Sequence, residues 1–150
     1  KNVRRMNEDK YMTMTALACD NEGTFIYSGL HQDIMVSRGA LKKVETIPTE
    51  GVWIGIASPI DHMLNERSLR LNIGDSMLLY TDGITEAIEK HGANNVVHSA
   101  KNMFGDGRLR EIFSRVNDRK IGDIKNDIVE ALKDYQCPDD VTFLIVQRVS

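Results

Sequence analysis

The chain has 150 residues, a formal net charge of −3 at pH 7 and 27% charged side chains, an ordinary composition for a globular protein. The length suits one domain with a substantial core. The charge argues against a nucleic-acid or anionic-membrane surface, and the apolar runs are too short to cross a bilayer. No stretch has the layout of a signal peptide, and Cys19 and Cys137 lie far apart in sequence. We therefore expect a cytoplasmic protein with two reduced thiols and no membrane contact.

The beginning of the sequence looks like the middle of a longer one. The chain opens with Lys1 rather than Met, and residues 1–10 are charged and compatible with a helix. We expect the sequence to be part of a longer protein.

The first half of the chain has short apolar segments bounded by turns, as in antiparallel β-structure. Strands are predicted over residues 12–20, 24–28, 34–37, 41–47 and 66–71. Asn21-Glu22-Gly23 is a hairpin signal, Gly29-Leu30-His31 interrupts the pattern, and Arg38-Gly39 turns it again. The first four strands, regularly spaced, predict an antiparallel sheet that forms one of two packed layers.

Residues 51–60 are the least regular part of the first half. Their glycines and Pro59 favour a loop that crosses between strands. Trp53 is expected to be buried there beside Ile54 and Ile56.

The stretch around Asp82 combines a turn, a buried strand and an abrupt Asp-Gly. Residues 72–75 have turn chemistry, and residues 77–80 form a short apolar run typical of a buried strand. Asp82 comes where that strand ends, and Gly83 lets backbone approach closely. A carboxylate and a glycine in this position suit a metal ion or a phosphate.

The same dipeptide also has a purely structural interpretation. Asp-Gly is a common turn pair, and Thr81 or Asp82 can simply cap a helix that starts near Ile84.

After Asp82 the pattern changes from strands to helices. Residues 84–90 can form two helical turns, which His91-Gly92 would end, and residues 94–103 show no clear period. Asp106 and Asp123 are each predicted to cap a helix with an apolar stripe. The two stripes are Leu109, Ile112, Phe113 and Val116, and Ile124, Ile128, Ala131, Leu132 and Tyr135. A strand rich in Val, Phe and Ile is predicted over residues 141–149.

Two carboxylate segments thus occupy comparable places. Asp82 ends one strand, and Asp139-Asp140 precedes another. Antiparallel neighbours would bring these ends together at one edge of a sheet. Carboxylates there repel unless a cation or proton lies between them, and hard oxygen ligands select Mg²⁺ or Mn²⁺. Turn chemistry after Pro138 is the alternative explanation for Asp139-Asp140.

Three blocks of the sequence resemble the last three blocks of the bacterial SpoIIE-type serine/threonine phosphatase domain, of the metal-dependent PPM (type 2C-like) class. The blocks are Tyr80-Thr81-Asp82-Gly83-Ile84-Thr85-Glu86-Ala87, Phe104-Gly105-Asp106-Gly107-Arg108-Leu109 and Asp139-Asp140-Val141-Thr142-Phe143-Leu144-Ile145-Val146. Residues 11–20 are similar to the family's central strand, and residues 27–38 to the segment that usually carries a Gly-His pair.

This resemblance implies an α+β fold, a two-layer antiparallel β-sandwich flanked by helices, with two Mn²⁺ or Mg²⁺ ions at one end. In such enzymes the metals activate a water that attacks the phosphorus of phosphoserine or phosphothreonine, without a phosphoenzyme. The expected partner is a phosphorylated regulatory protein, often an anti-anti-sigma factor in this family.

Carried over by motif, Asp82 and Asp139 are expected to be metal ligands, with Gly83 contributing to the cofactor site. Asp140 is expected to hold the turn. Leu30 replaces the glycine that the family has before its histidine, so we assign His31 no catalytic role and expect a polar residue at a strand end.

The family's first metal block, a Gly-Gly-Asp with a further Asp nearby, has no match in residues 1–150. We therefore expect one phosphatase domain that lacks its first strands and first metal-binding block. Exposed strand edges in such a domain could be covered by self-association, giving a homodimer, or by a partner.

Two functions stay open at this stage. One is the catalytic segment of a serine/threonine phosphatase, and the other is a non-catalytic PPM-like module that binds a regulator or transmits a signal. A haloacid-dehalogenase-like phosphatase fits poorly, because it needs a nucleophilic Asp at the end of a parallel strand.

Overall fold

The computed structural model describes residues 11–56, 59–90 and 102–150. The strands are β1 (Met14–Cys19), β2 (Thr24–Leu30), β3 (Ile34–Arg38), β4 (Lys43–Ile47), β5 (Arg67–Arg70), β6 (Ser76–Tyr80), β7 (Ile88–Glu89), β8 (Tyr135–Gln136) and β9 (Phe143–Gln147). The α-helices are α1 (Asp82–Thr85), α2 (Gly105–Ser114) and α3 (Ile121–Ala131). Every pairing of these strands is antiparallel, which agrees with the predicted α+β class.

The described residues form two compact units. The first comprises the chain up to Asp33 together with Pro48–Leu71, and the second comprises Ile34–Ile47 together with Asn72–Ser150. No helix in the described ranges is long and apolar enough to span a membrane. Cys19 and Cys137 are both free thiols, as predicted.

The first unit contains a three-stranded sheet in the order β1-β2-β5. β1 and β2 form the predicted hairpin, and Gly23 takes a φ of 79° in its turn. The Asp20 carboxylate accepts hydrogen bonds from the N–H groups of Glu22 and Thr24, both at 2.8 Å. These bonds close the turn and explain why the hairpin forms where its sequence signal lies.

The predicted interruption at Gly29 is wrong, because β2 continues through Leu30. Gly29 has a φ of 109° yet still pairs with Thr15 across the hairpin. A β-carbon on Gly29 would lie 2.1 Å from the carbonyl oxygen of Met14. The glycine therefore allows a close approach of two strands instead of ending one of them.

The loop at residues 51–60 is confirmed where it is described, but the burial of Trp53 is wrong. Its side chain is 47% exposed and that of Ile56 is 59% exposed. The Trp53 ring lies 5.8 Å from the ring of Tyr11, centroid to centroid. The backbone hydrogen bonds between Ile54 and Met12 set Trp53 beside Tyr11, where both rings stay about half exposed.

The second unit is built on a four-stranded sheet in the order β4-β3-β6-β9. The prediction that the first four strands share a sheet is therefore wrong, because β1 and β2 belong to the other unit. β2 pairs with β5 and β3 pairs with β6, so each hairpin is completed by a strand from later in the chain. Pairing between strands that are distant in sequence cannot be predicted from the spacing of the strands along the chain.

The turn before β6 is fixed by a buried carboxylate. Asp75 is 2% exposed and accepts hydrogen bonds from the N–H of Asn72 (2.9 Å), the guanidinium of Arg38 (2.9 Å) and the N–H of Gly39 (3.0 Å). Burial by itself would raise the pKa of Asp75, but these three donors together lower it below its usual value. Gly74, at a φ of 87°, confirms the predicted turn.

The helices cover one face of this sheet with the predicted apolar stripes. The fully buried members are Leu109, Phe113, Val116, Ile124 and Ile128. They pack with Met35 and Leu78 of the sheet in one hydrophobic core, which stabilises the unit.

The predicted helix caps are wrong. α2 begins after Phe104 and α3 begins after Lys120, and neither helix has a side-chain cap. Asp106 and Asp123 lie inside the first turns, where a carboxylate is favoured by the helix dipole without capping the helix.

The predicted helix over residues 84–90 is also wrong in extent. α1 is only four residues long, and Ile88–Glu89 instead form β7, which pairs with Tyr135–Gln136 in β8. The N–H of Lys90 continues this contact to the carbonyl of Asp134. Pairing with a distant segment thus overrides the local helical preference. His91, Gly92 and residues 94–101 lie outside the described ranges.

Candidate metal centre

The two carboxylate segments meet at one end of the β6–β9 pair. Tyr80, the last residue of β6, is paired with Phe143, the first residue of β9. The segment with Asp82 follows β6 directly, and the segment with Asp139 precedes β9. The prediction that antiparallel neighbours bring these ends together is therefore confirmed.

Thr81 joins the two segments through both its backbone and its side chain. Its N–H donates to the carbonyl of Thr142 at 3.0 Å. Its hydroxyl lies 3.1 Å from the carbonyl oxygen of Asp140 and accepts a hydrogen bond from the N–H of Thr142, also at 3.1 Å. Although Thr81 stands at the N-cap of α1, its hydroxyl makes no capping bond. The hydroxyl is thus used between segments, which excludes the alternative that Thr81 is a side-chain cap.

Gly83 packs against the other segment without a side chain. A β-carbon at this position would lie 2.4 Å from the carbonyl oxygen of Asp140 and 3.1 Å from that of Asp139. The close backbone approach predicted for Gly83 is therefore made to the Asp139-Asp140 turn. Its contribution to a cofactor site stays a prediction.

The carboxylates of Asp82 and Asp139 differ in surroundings. Asp82 is half-buried in the first turn of α1. Asp139 is exposed, and its Oδ1 accepts a hydrogen bond from the N–H of Asp140 at 2.7 Å. This bond orients the Asp139 carboxylate. Asp140 takes part in the turn through its backbone, as expected.

The residues present match a hard cation in donor type, because the two segments that meet at one end of the β6–β9 pair each carry a carboxylate. They do not make a complete set. Among residues 11–56, 59–90 and 102–150, no three His, Cys, Asp or Glu side chains are grouped so that they could hold a metal ion.

His31 lies in the first unit, immediately after β2, as expected for a polar residue at a strand end. Its ring Nδ1 is 2.9 Å from the hydroxyl of Thr13, and its backbone N–H donates to the hydroxyl of the buried Thr49 at 3.0 Å. The absence of a catalytic role for His31 stays a prediction.

One contact beside the candidate centre was missed by the sequence reasoning. The hydroxyl of Tyr80 donates to Oδ1 of Asp106 at 2.8 Å and links β6 to α2. Both residues lie in the sequence blocks that resemble the SpoIIE family. Those blocks single out the two residues, but their spacing does not indicate a hydrogen bond between positions 26 residues apart.

Comparison with known proteins agrees with this architecture. The model of the family described as stage II sporulation protein E (SpoIIE) matches residues 1–149. A search among curated proteins gave no match.

Solved structures of phosphatase domains are similar over most of the chain. The SiaA-PP2C domain of Pseudomonas aeruginosa superposes with a TM-score of 0.73 at 19% identity, covering 95% of this chain and 54% of that one. The RsbU and RsbW domains of Rv1364c from Mycobacterium tuberculosis give 0.63 at 25% identity, covering 91% and 36%. The SpoIIE phosphatase domain of Bacillus subtilis, presoaked with Mn, gives 0.53 at 16% identity, covering 91% and 56%. The chain thus spans roughly a third to a little over half of the length of these structures.

These findings define an α+β fold of the PP2C type, as the sequence predicted. The chain belongs to the SpoIIE family, whose members are serine/threonine phosphatases of the metal-dependent PP2C class.

Proposed function

We propose that this chain is the segment of a protein serine/threonine phosphatase that contributes Asp82 and Asp139 to a centre for two Mn²⁺ or Mg²⁺ ions. The observation that supports the proposal is the contact of residues 81–83 with residues 139–142, the two segments that carry Asp82 and Asp139.

The described residues have distinct parts in this function. Asp82 and Asp139 would hold the cations through carboxylate oxygens, and Thr81 keeps their two segments in register. The hydrogen bond from the N–H of Asp140 limits rotation of the Asp139 carboxylate. When bound, the metals supply an activated water and positive charge for hydrolysis of a phosphate monoester.

The substrate we propose is phosphoserine or phosphothreonine on a regulatory protein in the cytoplasm, such as an anti-anti-sigma factor. Support comes from the family, and from the likeness to a structure that contains an RsbU domain and to the SpoIIE phosphatase domain.

A second candidate is a non-catalytic PP2C-like module in a signalling protein. One observation favours it: the described residues contain no group of three ligating side chains. Two carboxylates alone hold Mg²⁺ or Mn²⁺ only weakly, because such ions need more oxygen ligands or a bound substrate.

Calorimetry with Mn²⁺, together with hydrolysis of a phosphoserine peptide, separates the two candidates. For the phosphatase we expect metal binding and turnover by the 150-residue chain, both lost in Asp82→Asn and in Asp139→Asn. Asp118→Asn is a matched control, since Asp118 is an exposed aspartate of the same unit that pairs with Lys42. Binding and turnover that persist in both site variants would contradict the ligand assignment. A wild-type chain that neither binds Mn²⁺ nor hydrolyses the peptide would contradict the phosphatase proposal for this chain.

A further inference from the structure

We propose that Asp106 is a positioning residue for Asp82: through Tyr80 it fixes the short helical turn that presents the Asp82 carboxylate. The inference rests on the proposed function, because it assigns Asp106 a role in the same centre.

Tyr80 is the residue through which this effect would act. It ends β6, is 5% exposed and belongs to the hydrophobic core of the second unit. A buried tyrosine hydroxyl needs a hydrogen-bond acceptor, and the Oδ1 of Asp106 lies 2.8 Å away. Only Thr81 separates this anchored side chain from Asp82.

Asp106 lies in the first turn of α2, yet its carboxylate does not cap that helix. It accepts the tyrosine hydroxyl instead, in a hydrogen bond strengthened by the carboxylate charge. The charge is also favoured by the helix dipole at this end of α2. The same side chain therefore stabilises α2 and ties it to the end of β6.

A second hydrogen bond ties α2 to the other side of the same turn. The N–H of Phe104, just before α2, donates to the carbonyl of Ala87 at 2.8 Å. Tyr80 and Ala87 flank α1 in sequence, so the two bonds hold both ends of the segment that contains Asp82. Thr81 and Gly83 hold the segment on the β9 side, and Asp106 holds it on the α2 side.

This arrangement gives Asp106 an effect on metal binding without any contact to the metal. A ligand carried on a four-residue helix has little rigidity of its own, because isolated short helices are unstable. Outer contacts that orient metal ligands commonly change metal affinity by tenfold or more when removed. We therefore expect loss of the Tyr80–Asp106 bond to weaken Mn²⁺ binding while the unit stays folded.

Four variants of the 150-residue chain test the inference. Tyr80→Phe removes the donor and Asp106→Ala removes the acceptor, whereas Asp106→Asn keeps an acceptor oxygen of similar reach. Glu111→Ala is the control, because Glu111 is an exposed carboxylate on α2 that pairs with Arg115 on the next turn.

Two measurements are made on each variant: Mn²⁺ affinity by calorimetry, and amide hydrogen exchange of residues 81–87 by mass spectrometry. We expect about tenfold weaker Mn²⁺ binding in Tyr80→Phe and in Asp106→Ala, with exchange in residues 81–87 at least about threefold faster. Asp106→Asn should restore most of both properties, and Glu111→Ala should change neither. In turnover at subsaturating Mn²⁺, kcat should fall and should recover as Mn²⁺ is raised to saturation, which a smaller folded fraction would not produce.

The inference would be overturned if Tyr80→Phe and Asp106→Ala both kept Mn²⁺ affinity and amide exchange rates within about twofold of wild type. Removing a contact that orients a metal ligand should have a larger effect than that. If the wild-type chain binds no Mn²⁺, the proposed function fails for this chain. The exchange rates then decide alone whether Asp106 holds the turn, so the two failures are distinguishable.

Discussion

Gly83 packs directly on the peptide carbonyl of Asp140, so closely that a β-carbon at position 83 would lie 2.4 Å from that oxygen. Real β-carbons do not come so near to a backbone oxygen. The Asp-Gly pair of the sequence is therefore explained by two needs at once: a carboxylate at position 82, and no side chain at position 83.

Replacing Gly83 by Ala should push the Asp139-Asp140 turn away from α1, because the obstructing atoms belong to backbone and cannot rotate aside. We expect a loss of about 2 kcal/mol in the free energy of unfolding, as for other overpacked sites. The measurement is urea unfolding of wild type and variant, with Mn²⁺ affinity determined in parallel.

Gly122→Ala is the matched control for this substitution. Gly122 lies in α3, and a β-carbon there would meet no atom within 4 Å apart from its chain neighbours and the backbone of its own helix. Alanine should raise the free energy of unfolding by about 0.5–1 kcal/mol, through its better helical propensity. Equal effects of the two substitutions would show that crowding at Gly83 is unimportant.

Thr81→Val should separate the two carboxylate segments by removing the hydroxyl that both accepts from Thr142 and reaches the Asp140 carbonyl. The expected cost is about 1–2 kcal/mol of unfolding free energy, together with weaker Mn²⁺ binding. Thr81→Ser keeps the hydroxyl and should behave almost as wild type. A valine variant with full metal affinity would mean that the backbone bond from Thr81 to Thr142 is sufficient.

Asp75→Asn should destabilise the second unit because it leaves the Arg38 guanidinium with an uncharged partner in a nearly closed site. The side chains of Asp75 and Arg38 are 3% and 19% exposed. We expect the free energy of unfolding to fall by about 3 kcal/mol, the lower end of the range for breaking a buried ion pair. The lower end applies because Arg38 also pairs with Glu45 at 2.9 Å. Asp118→Asn breaks an exposed ion pair with Lys42 and should cost less than about 1 kcal/mol in the same urea experiment.

The pKa of Asp75 also predicts how the free energy of unfolding changes at acidic pH. The pKa of Asp75 in the folded chain lies below its usual value of 3.8, because its three hydrogen-bond donors outweigh the opposing effect of burial. A lowered folded pKa stabilises the protein at pH values above the unfolded pKa, and this contribution is lost as pH falls through the folded pKa.

The difference in unfolding free energy between wild type and Asp75→Asn should therefore be constant near neutral pH and shrink below a pH of about 4. Asp20, whose pKa is lowered mainly by the N–H of Thr24, is present in both proteins and cancels in this comparison. A difference that stays constant down to pH 2 would contradict the assignment to Asp75.

Much of the local structure could be predicted from the sequence because its causes are local. The apolar stripe from Leu109 to Val116 specified a buried helix face, and the Asn21-Glu22-Gly23 turn specified a hairpin. The positions of Asp82 and Asp139 at strand ends followed from strand boundaries alone.

Other features depended on partners far away in the chain. Trp53 covers Tyr11 instead of entering the core, and Ile88–Glu89 pair with Tyr135–Gln136 instead of extending α1. Asp106 accepts the Tyr80 hydroxyl instead of acting as the helix cap that the sequence predicted. In each case a contact across many residues outweighed a weak local preference.

The sequence by itself determined the family, the α+β class and the residues that could bind a metal ion. Motifs and hydrophobic periodicity depend on residues that are close together in sequence, so they can be recognised without the fold. Only the tertiary structure decided which strands share a sheet and how residues 81–83 contact residues 139–142. Those outcomes depend on hydrogen bonds and close packing between distant segments, and such contacts form only when the whole unit folds.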